Sequence, residues 1–271
     1  FATIAAIVEV GGIPKFVDIK ESDFTIDTSK IPSLINKKTK AIIAVHIYGN
    51  PTDMDDLIKI SKKNKIYLIE DCSQAHGATY KNKKVGTFGN ISCFSLYPTK
   101  NLGAFGDAGI ISTNNISTYK KIKLLREYGW KEKNKSIIHG VSNRLDEIQA
   151  GILNVKIKLL DRFNKKRKII AEQYLKEIKS KYLILPKKQK YKKNTYHLFV
   201  VRINKNKRKK FINYLKTKNI LCGIHYPIPN HQQKPYQKFK KKLPITERVS
   251  KEIVSLPIYP LLKPKEIKKI I

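Results

Sequence analysis

The chain has 271 residues, 41% of them hydrophobic and 28% charged, so it should be globular, with room for one large α/β domain or a large domain and a small one. No apolar run has the length of a membrane span. The net charge of +35 is extreme, yet only 7 of the 56 basic residues are Arg, the residue best suited to bidentate phosphate and base contacts. The lysines fall in short runs along the whole sequence, such as Lys37-Lys38, Lys187-Lys188 and the stretch Lys205 to Lys210. That spread favours a solvated surface over a nucleic-acid face, and it is compatible with a general attraction for anionic substrates. Cys72, Cys93 and Cys222 form no C-x-x-C pair and no metal-ligand spacing, which fits small buried residues in a reducing cytoplasm. The sequence opens on Phe1 inside an apolar segment, so it is expected to be a fragment whose natural N-terminus lies upstream.

In chain order, Thr3 to Val10 reads as a helix stopped by Gly11-Gly12, and Lys15 to Ile19 as a short strand. Ala41 to His46 is an apolar run suited to a parallel strand buried on both faces. Asp53 to Asn64 has helical periodicity, with an acidic first turn and a lysine-rich last turn that suit the helix dipole. Ile66 to Glu70, Ile91 to Leu96 and Gly109 to Ser112 read as three further strands. This alternation predicts an open, mainly parallel sheet. From Arg144 to Phe163 a long helix begins, with Leu145, Ile148, Ile152, Val155, Leu159 and Leu160 on one face, and it is expected to run on or restart toward Ile178. Tyr196 to Ile203 reads as a strand, Lys207 to Lys218 as a helix and Leu221 to Tyr226 as a strand, together a small α+β domain. The boundary is placed near residue 165, giving a large domain over 1–165, its N-terminal part missing, and a small C-terminal domain over 166–271.

Chemistry gathers at two strand ends. Open α/β sheets bind ligands outside the carboxyl ends of their strands. Asp71 and Gln74 follow one strand, and Ser95 and Lys100 lie at or after the next, so both pairs can open onto one crevice. Lys100 stands apart from the other lysines, because its turn holds Pro98, Asn101, Gly103 and Gly106 rather than a charged run. A lysine amine becomes a nucleophile where its surroundings lower its pKa. A carboxylate such as Asp71 at the end of a buried strand is costly unless it meets a cation, although it could also cap the following helix. Ser95 offers a hydroxyl to a phosphate, or is an ordinary strand-end serine.

The stretches Glu70-Asp71 to Gly77 and Phe94-Ser95-Leu96-Tyr97-Pro98-Thr99-Lys100-Asn101-Leu102-Gly103 closely resemble the DegT/DnrJ/EryC1/StrS sugar aminotransferases. The likeness extends through Phe16-Val17-Asp18-Ile19, Val45-His46-Ile47-Tyr48-Gly49, His225-Tyr226-Pro227 and Leu256-Pro257-Ile258-Tyr259-Pro260. It implies a fold-type I transferase dependent on pyridoxal phosphate, acting on nucleotide-linked keto sugars with glutamate as amino donor. Lys100 would carry the cofactor as a Schiff base, Asp71 would pair with its ring nitrogen, Gln74 would contact its ring hydroxyl oxygen and Ser95 its phosphate. Asn143 would reach the phosphate in a second subunit, because family members assemble shared sites in a homodimer. In the family the corresponding Asn more often stands two residues before the Arg, whereas Asn143 adjoins Arg144. A Gly-Thr turn that binds the cofactor phosphate in the family is expected upstream of Phe1.

Arg126-Glu127-Tyr128-Gly129-Trp130 and Asn143-Arg144-Leu145-Asp146-Glu147 resemble the branch that aminates C3 of dTDP-linked 3-keto-6-deoxyhexoses. Tyr128 and Trp130 would then touch substrate, or merely pack an exposed loop. His225 and Tyr226 would touch the sugar, or close a strand of the small domain. Two rival functions remain in view: a catalytically silent regulator or sensor on the same fold, and a basic nucleic-acid binder supported by charge alone. Lys100 argues against the dehydratase branch of the family, which has histidine at that place.

Overall fold

Alternating buried and part-buried side chains, Ile42 and Ala44 on one strand and Leu68 and Glu70 on the next, build the first sheet of the computed structural model, which describes residues 1–271. Its strands are Ala41–Val45 (β1), Tyr67–Asp71 (β2), Ile91–Ser95 (β3) and Gly109–Ser112 (β4), in that spatial order. The β1–β2 and β2–β3 pairs are parallel, and β4 runs antiparallel to β3 because it returns directly from the turn after Ser95 with no helical crossover. Helix α1 spans Ala2–Glu9, and α2, Met54–Asn64, crosses from β1 to β2. Met54 and Leu57 of α2 are fully buried against Ile42, Ala44 and Leu68. Burial of each such side chain stabilises the fold by about 1.5–3 kcal/mol.

Glu70, next to Asp71, is fully buried and organises the turn that follows β2. Its carboxylate accepts the backbone N–H groups of Gly86, Phe88 and Gly89, each at 2.7 Å, and lies 3.1 Å from Nε2 of His46. Nδ1 of His46 accepts the Thr52 N–H at 3.0 Å, so Nε2 carries the proton toward Glu70. His46, Glu70 and Cys72 lie close enough to suggest metal ligands. Both ring nitrogens and both carboxylate oxygens are already bonded, however, and burial followed by the Glu70 charge pushes the Cys72 thiol pKa up. The cluster acts as a support.

After α3 (Ile116–Arg126), the expected long helix is two: α4, Glu147–Ile157, and α5, Leu160–Glu177. The break has no Gly or Pro. The Leu159 N–H instead bonds the Lys156 carbonyl at 3.0 Å, a tighter turn, and Phe163 N–H restarts the helix on Leu159. This bend lets α5 bury Ile170, Ala171 and Tyr174 in a second core with Phe199, Val201 and Val254. The single apolar stripe is likewise split: Leu153 is buried, whereas Ile148 and Val155 are 76% and 65% exposed.

The second core rests on an antiparallel pair, Phe199–Ile203 (β5) and Ile253–Leu256 (β6), flanked by α6 (Lys205–Thr217), α7 (Pro244–Glu252) and α8 (Pro264–Ile270). β5 starts later than expected because Tyr196 sits at φ 48°, outside the extended region. Leu221 to Tyr226 is not a strand; it touches β6 through one bridge, Gly223 to Ser255, before Pro227 and Pro229 turn the chain. Lys15 to Ile19 also reduces to one bridge, Ile19 to Ile26. Asp18 is occupied otherwise, accepting from the N–H groups of Ile245 and Thr246 at the start of α7. A small cluster of Tyr48, Val200, Val249 and Ile253 joins the two halves. No helix is long and apolar enough to cross a membrane.

Candidate active site

Asp71 closes β2, and its place is set by the ladder: the His46 N–H donates to the Asp71 carbonyl at 3.0 Å. Its carboxylate accepts the Thr3 hydroxyl of α1 at 2.6 Å and the Ser73 N–H at 3.1 Å. Both are neutral donors, so no cationic side chain neutralises Asp71 by direct contact.

Lys100 sits in the turn between β3 and β4. The turn is held by Lys100 N–H to the Tyr97 carbonyl at 2.9 Å and Ala104 N–H to the Leu96 carbonyl at 2.7 Å. Gly103 permits this closure, since a Cβ there would lie 2.5 Å from the Pro98 carbonyl oxygen. Burial lowers the Lys100 amine pKa from its ordinary value, and the negative charge of Asp71 partly opposes that fall. The amine is half-buried, and the Asp71 carboxylate is close enough to act on its charge. Ser95 ends β3, and its hydroxyl has only a long 3.4 Å contact from the Tyr97 N–H.

Gln74 joins the two halves. Its Oε1 accepts the Tyr48 N–H at 2.6 Å, and its Nε2 donates to the Tyr226 hydroxyl at 3.0 Å. The Tyr48 hydroxyl in turn donates to the His225 carbonyl, and His225 Nδ1 lies 2.9 Å from the Ser255 hydroxyl. The structure thus brings His225 and Tyr226 to Gln74.

Tyr128, Trp130 and Asn143 lie elsewhere, beyond α3. Tyr128 and Trp130 have ring centroids 5.1 Å apart and line an open hollow of about 390 Å³ with Ser136, Ile138 and His139. Asn143 is exposed, with its N–H on the Arg126 carbonyl at 2.9 Å. No hydrogen bond or ion pair links this group to Asp71 or Lys100 within the chain.

Two histidines that sequence reasoning passed over stand near Lys100. His76 is 3% exposed, and neither ring nitrogen has a hydrogen-bond partner. Burial pushes its pKa down to about 4, against a pull from the Ser95 carbonyl, and the Lys100 charge adds to the fall. Burial, then the charges of Lys100 and Arg167, take His197 down to about 3. Both are neutral at neutral pH. Their positions within Gln74-Ala75-His76-Gly77 and Tyr196-His197 gave the only sequence signal.

Residues 1–271 match the model of the DegT/DnrJ/EryC1/StrS aminotransferase family. The chain belongs to that family. It is 43% identical over 271 residues to the dTDP-3-amino-3,6-dideoxy-alpha-D-galactopyranose transaminase of Aneurinibacillus thermoaerophilus, covering 100% of this chain and 74% of that protein. It is similar to the S. venezuelae DesV structure in complex with a ketimine intermediate, at 32% identity and a TM-score of 0.94, over 99% of this chain and 73% of that one. The structure of Bacillus subtilis ntda with bound cofactor pmp matches at 30% identity and a TM-score of 0.92, over 99% and 63%. The fold is therefore that of fold-type I pyridoxal phosphate enzymes, and the protein is a sugar aminotransferase. The family depends on pyridoxal phosphate, and the residues present fit it: a half-buried amine at Lys100 with its pKa lowered, and a carboxylate at Asp71 whose hydrogen-bond donors are both neutral. Among the relatives, a Geobacillus stearothermophilus protein at 38% identity is called a pleiotropic regulatory protein, but the sugar transaminases, including the one at 43%, do not favour the reading of a silent regulator.

Proposed function

We propose that this aminotransferase moves an amino group from glutamate to C3 of a dTDP-linked 3-keto-6-deoxyhexose, supplying an amino sugar for polysaccharide, O-antigen or a glycosylated metabolite. The observation that carries the site is the placement of Asp71 and Lys100 at the carboxyl ends of the adjacent parallel strands β2 and β3, with burial lowering the Lys100 amine pKa. The name of the Aneurinibacillus relative supports the substrate class. Bound, the cofactor withdraws electrons from the reacting carbon and carries nitrogen between the two half-reactions. Lys100 holds the cofactor through Nζ, and that atom also moves the proton released at the donor's α-carbon. Its lowered pKa keeps more of the amine neutral for both tasks. Asp71 holds the ring nitrogen protonated, while Thr3 and Ser73 keep the carboxylate aimed without neutralising it.

Ser95 takes the cofactor phosphate. Gln74 uses one of its two amide N–H groups on Tyr226, and the other serves the ring hydroxyl oxygen. His225 and Tyr226, tied to Gln74 through Tyr48, border the sugar. Tyr128, Trp130 and Asn143 serve the site of a second copy in a homodimer. The exposed Ile110, Ile111, Ile148, Val155 and Ile157 supply apolar surface for that pairing. The two cores on either side of the Tyr48 cluster support a division into a large and a small domain, with the proposed boundary at about residue 165 inside α5. Three unpaired cysteines, all with thiol pKa raised by burial, suit a reducing cytoplasm.

The test is to supply glutamate with dTDP-3-keto-6-deoxyhexose and measure 2-oxoglutarate. Sugar-dependent 2-oxoglutarate formation supports the assignment. Turnover with a UDP-linked keto sugar and none with the dTDP-linked one would refute the substrate.

A further inference from the structure

The turn carrying Lys100 is tied to the rest of the protein by the Phe105 N–H, which donates to Gln149 Oε1 at 2.8 Å, by Leu102 and Ala104 packed with Leu153, and by the side chain of Asn101. Asn101 Nδ2 donates to Asn164 Oδ1 at 3.0 Å and to the Thr195 carbonyl at 3.1 Å, and its Oδ1 lies 3.3 Å from His197 Nδ1. Asn101 is the side chain of this turn whose hydrogen bonds leave the β3–β4 hairpin. Asn164, in α5, passes the connection on by donating Nδ2 to the His76 carbonyl at 2.8 Å. Gly77 makes room for that approach, because a Cβ there would lie 2.9 Å from Asn164 Nδ2. An asparagine amide has two N–H donors and one acceptor oxygen, so every polar group of Asn101 is engaged. An amide oxygen only accepts, so His197 carries its proton on Nδ1 and leaves Nε2 as an acceptor. Three segments are thereby registered: Asp71–Gly77, the Lys100 turn and Thr195–His197.

We propose that Asn101 and Asn164 are positioning residues, a two-amide clamp that sets Lys100 in register with Asp71 and fixes the tautomer of His197. The proposal rests on Lys100 being the cofactor-bearing lysine. Neither amide needs to touch the cofactor. The clamp acts through the placement of the Lys100 amine, and a small displacement of a reacting group carries a large rate penalty.

The test uses the full chain loaded with pyridoxal phosphate. Asn164→Ala removes both bonds of the bridging amide at an interior helix position where Ala is the better helix former, so the fold is retained. Three quantities are measured: the pH titration of the cofactor's visible absorption, the kcat and KM values, and the thermal midpoint. The clamp predicts a displaced titration midpoint and a kcat lowered about 10- to 100-fold. It also predicts a glutamate KM within about twofold of wild type and a thermal midpoint within about 2 °C. Asn164→Asp, which keeps the acceptor for Asn101 but loses the donor to His76, falls between. Wild-type titration and kcat in Asn164→Ala overturn the clamp, and so does a loss that only tracks a fall in thermal midpoint. Lys100→Ala is run in parallel. A visible band that survives Lys100→Ala overturns the cofactor-lysine reading and the clamp with it, whereas a band lost there and unaltered in Asn164→Ala overturns the clamp alone.

Discussion

Replacing Glu70 by Gln changes no volume and removes one charge from the support beneath the Asp71 loop. The four donors around the carboxylate are the N–H groups of Gly86, Phe88 and Gly89 and Nε2 of His46. Phe88 and Gly89 share Oε1, and Gly86 and His46 share Oε2. A glutamine has one acceptor oxygen, so its NH2 must face one of these pairs. At least one charge-assisted bond, worth about 1.5–3 kcal/mol, is lost, and a buried donor left unsatisfied adds about 1–3 kcal/mol. A loss of about 3–5 kcal/mol follows, or roughly 6–15 °C in thermal midpoint for a chain of this size. The pH dependence gives a second readout. The folded carboxyl ionises below the ordinary 4.5, because the His46 bond and the Gly86 and Gly89 N–H groups outweigh the desolvation that pushes the other way. The anion's contribution is therefore complete above that ordinary value and is lost as pH falls through the lower folded one. Calorimetric melts from pH 7 to pH 3 should show wild type losing stability at the acid end and Glu70→Gln losing less. An unchanged midpoint at pH 7, within about 2 °C, would refute the account of this support.

Asp71→Asn should leave the fold intact and lower kcat by about 10²- to 10⁴-fold, because the ring nitrogen loses its partner, and steady-state kinetics checks it. Lys192→Met should destabilise by about 3 kcal/mol, measured by urea unfolding, since it strips the cation at 2.6 Å from buried Asp23 and leaves Lys20 at 3.6 Å as its remaining cation, beside the Thr25 N–H and hydroxyl. Ile148→Asp, at a site 76% exposed in the single chain, should keep the thermal midpoint of the folded subunit and shift the mass in light scattering from dimer to monomer. An unchanged mass would remove Ile148 from the pairing surface.

Local signals carried the first half of the fold. Six of the elements expected there, including Asp53 to Asn64 and the strands ending at Asp71 and Ser95, appear within a residue or two, because burial follows the apolar pattern. The misses share a cause in tertiary contact. The bend at Leu159 has no breaker residue and exists because α5 turns into the second core. Leu221 to Tyr226 has strand-like composition, yet β6 meets it at Gly223 alone. The direction of β4 is a property of its connection and not of its composition. The site divides the same way. That Asp71 with Gln74 and Ser95 with Lys100 stand at or just after the ends of two neighbouring strands was legible from the apolar pattern, whereas their roles rest on the family resemblance. His76, Asn101, Asn164 and His197 were not legible, since what distinguishes them is mutual hydrogen bonding across as many as 96 positions of chain, or a buried ring without a side-chain partner. Thr3 was hidden inside a helix whose periodicity explained it fully, although its hydroxyl holds Asp71.

The central claim is that Lys100 binds the cofactor through its amine. The visible absorption of the full chain with pyridoxal phosphate, before and after glutamate, tests it most directly. The account predicts a visible band that glutamate bleaches in wild type and that is absent from Lys100→Ala. A wild type without the band, or a Lys100→Ala protein that keeps it unchanged, would contradict it.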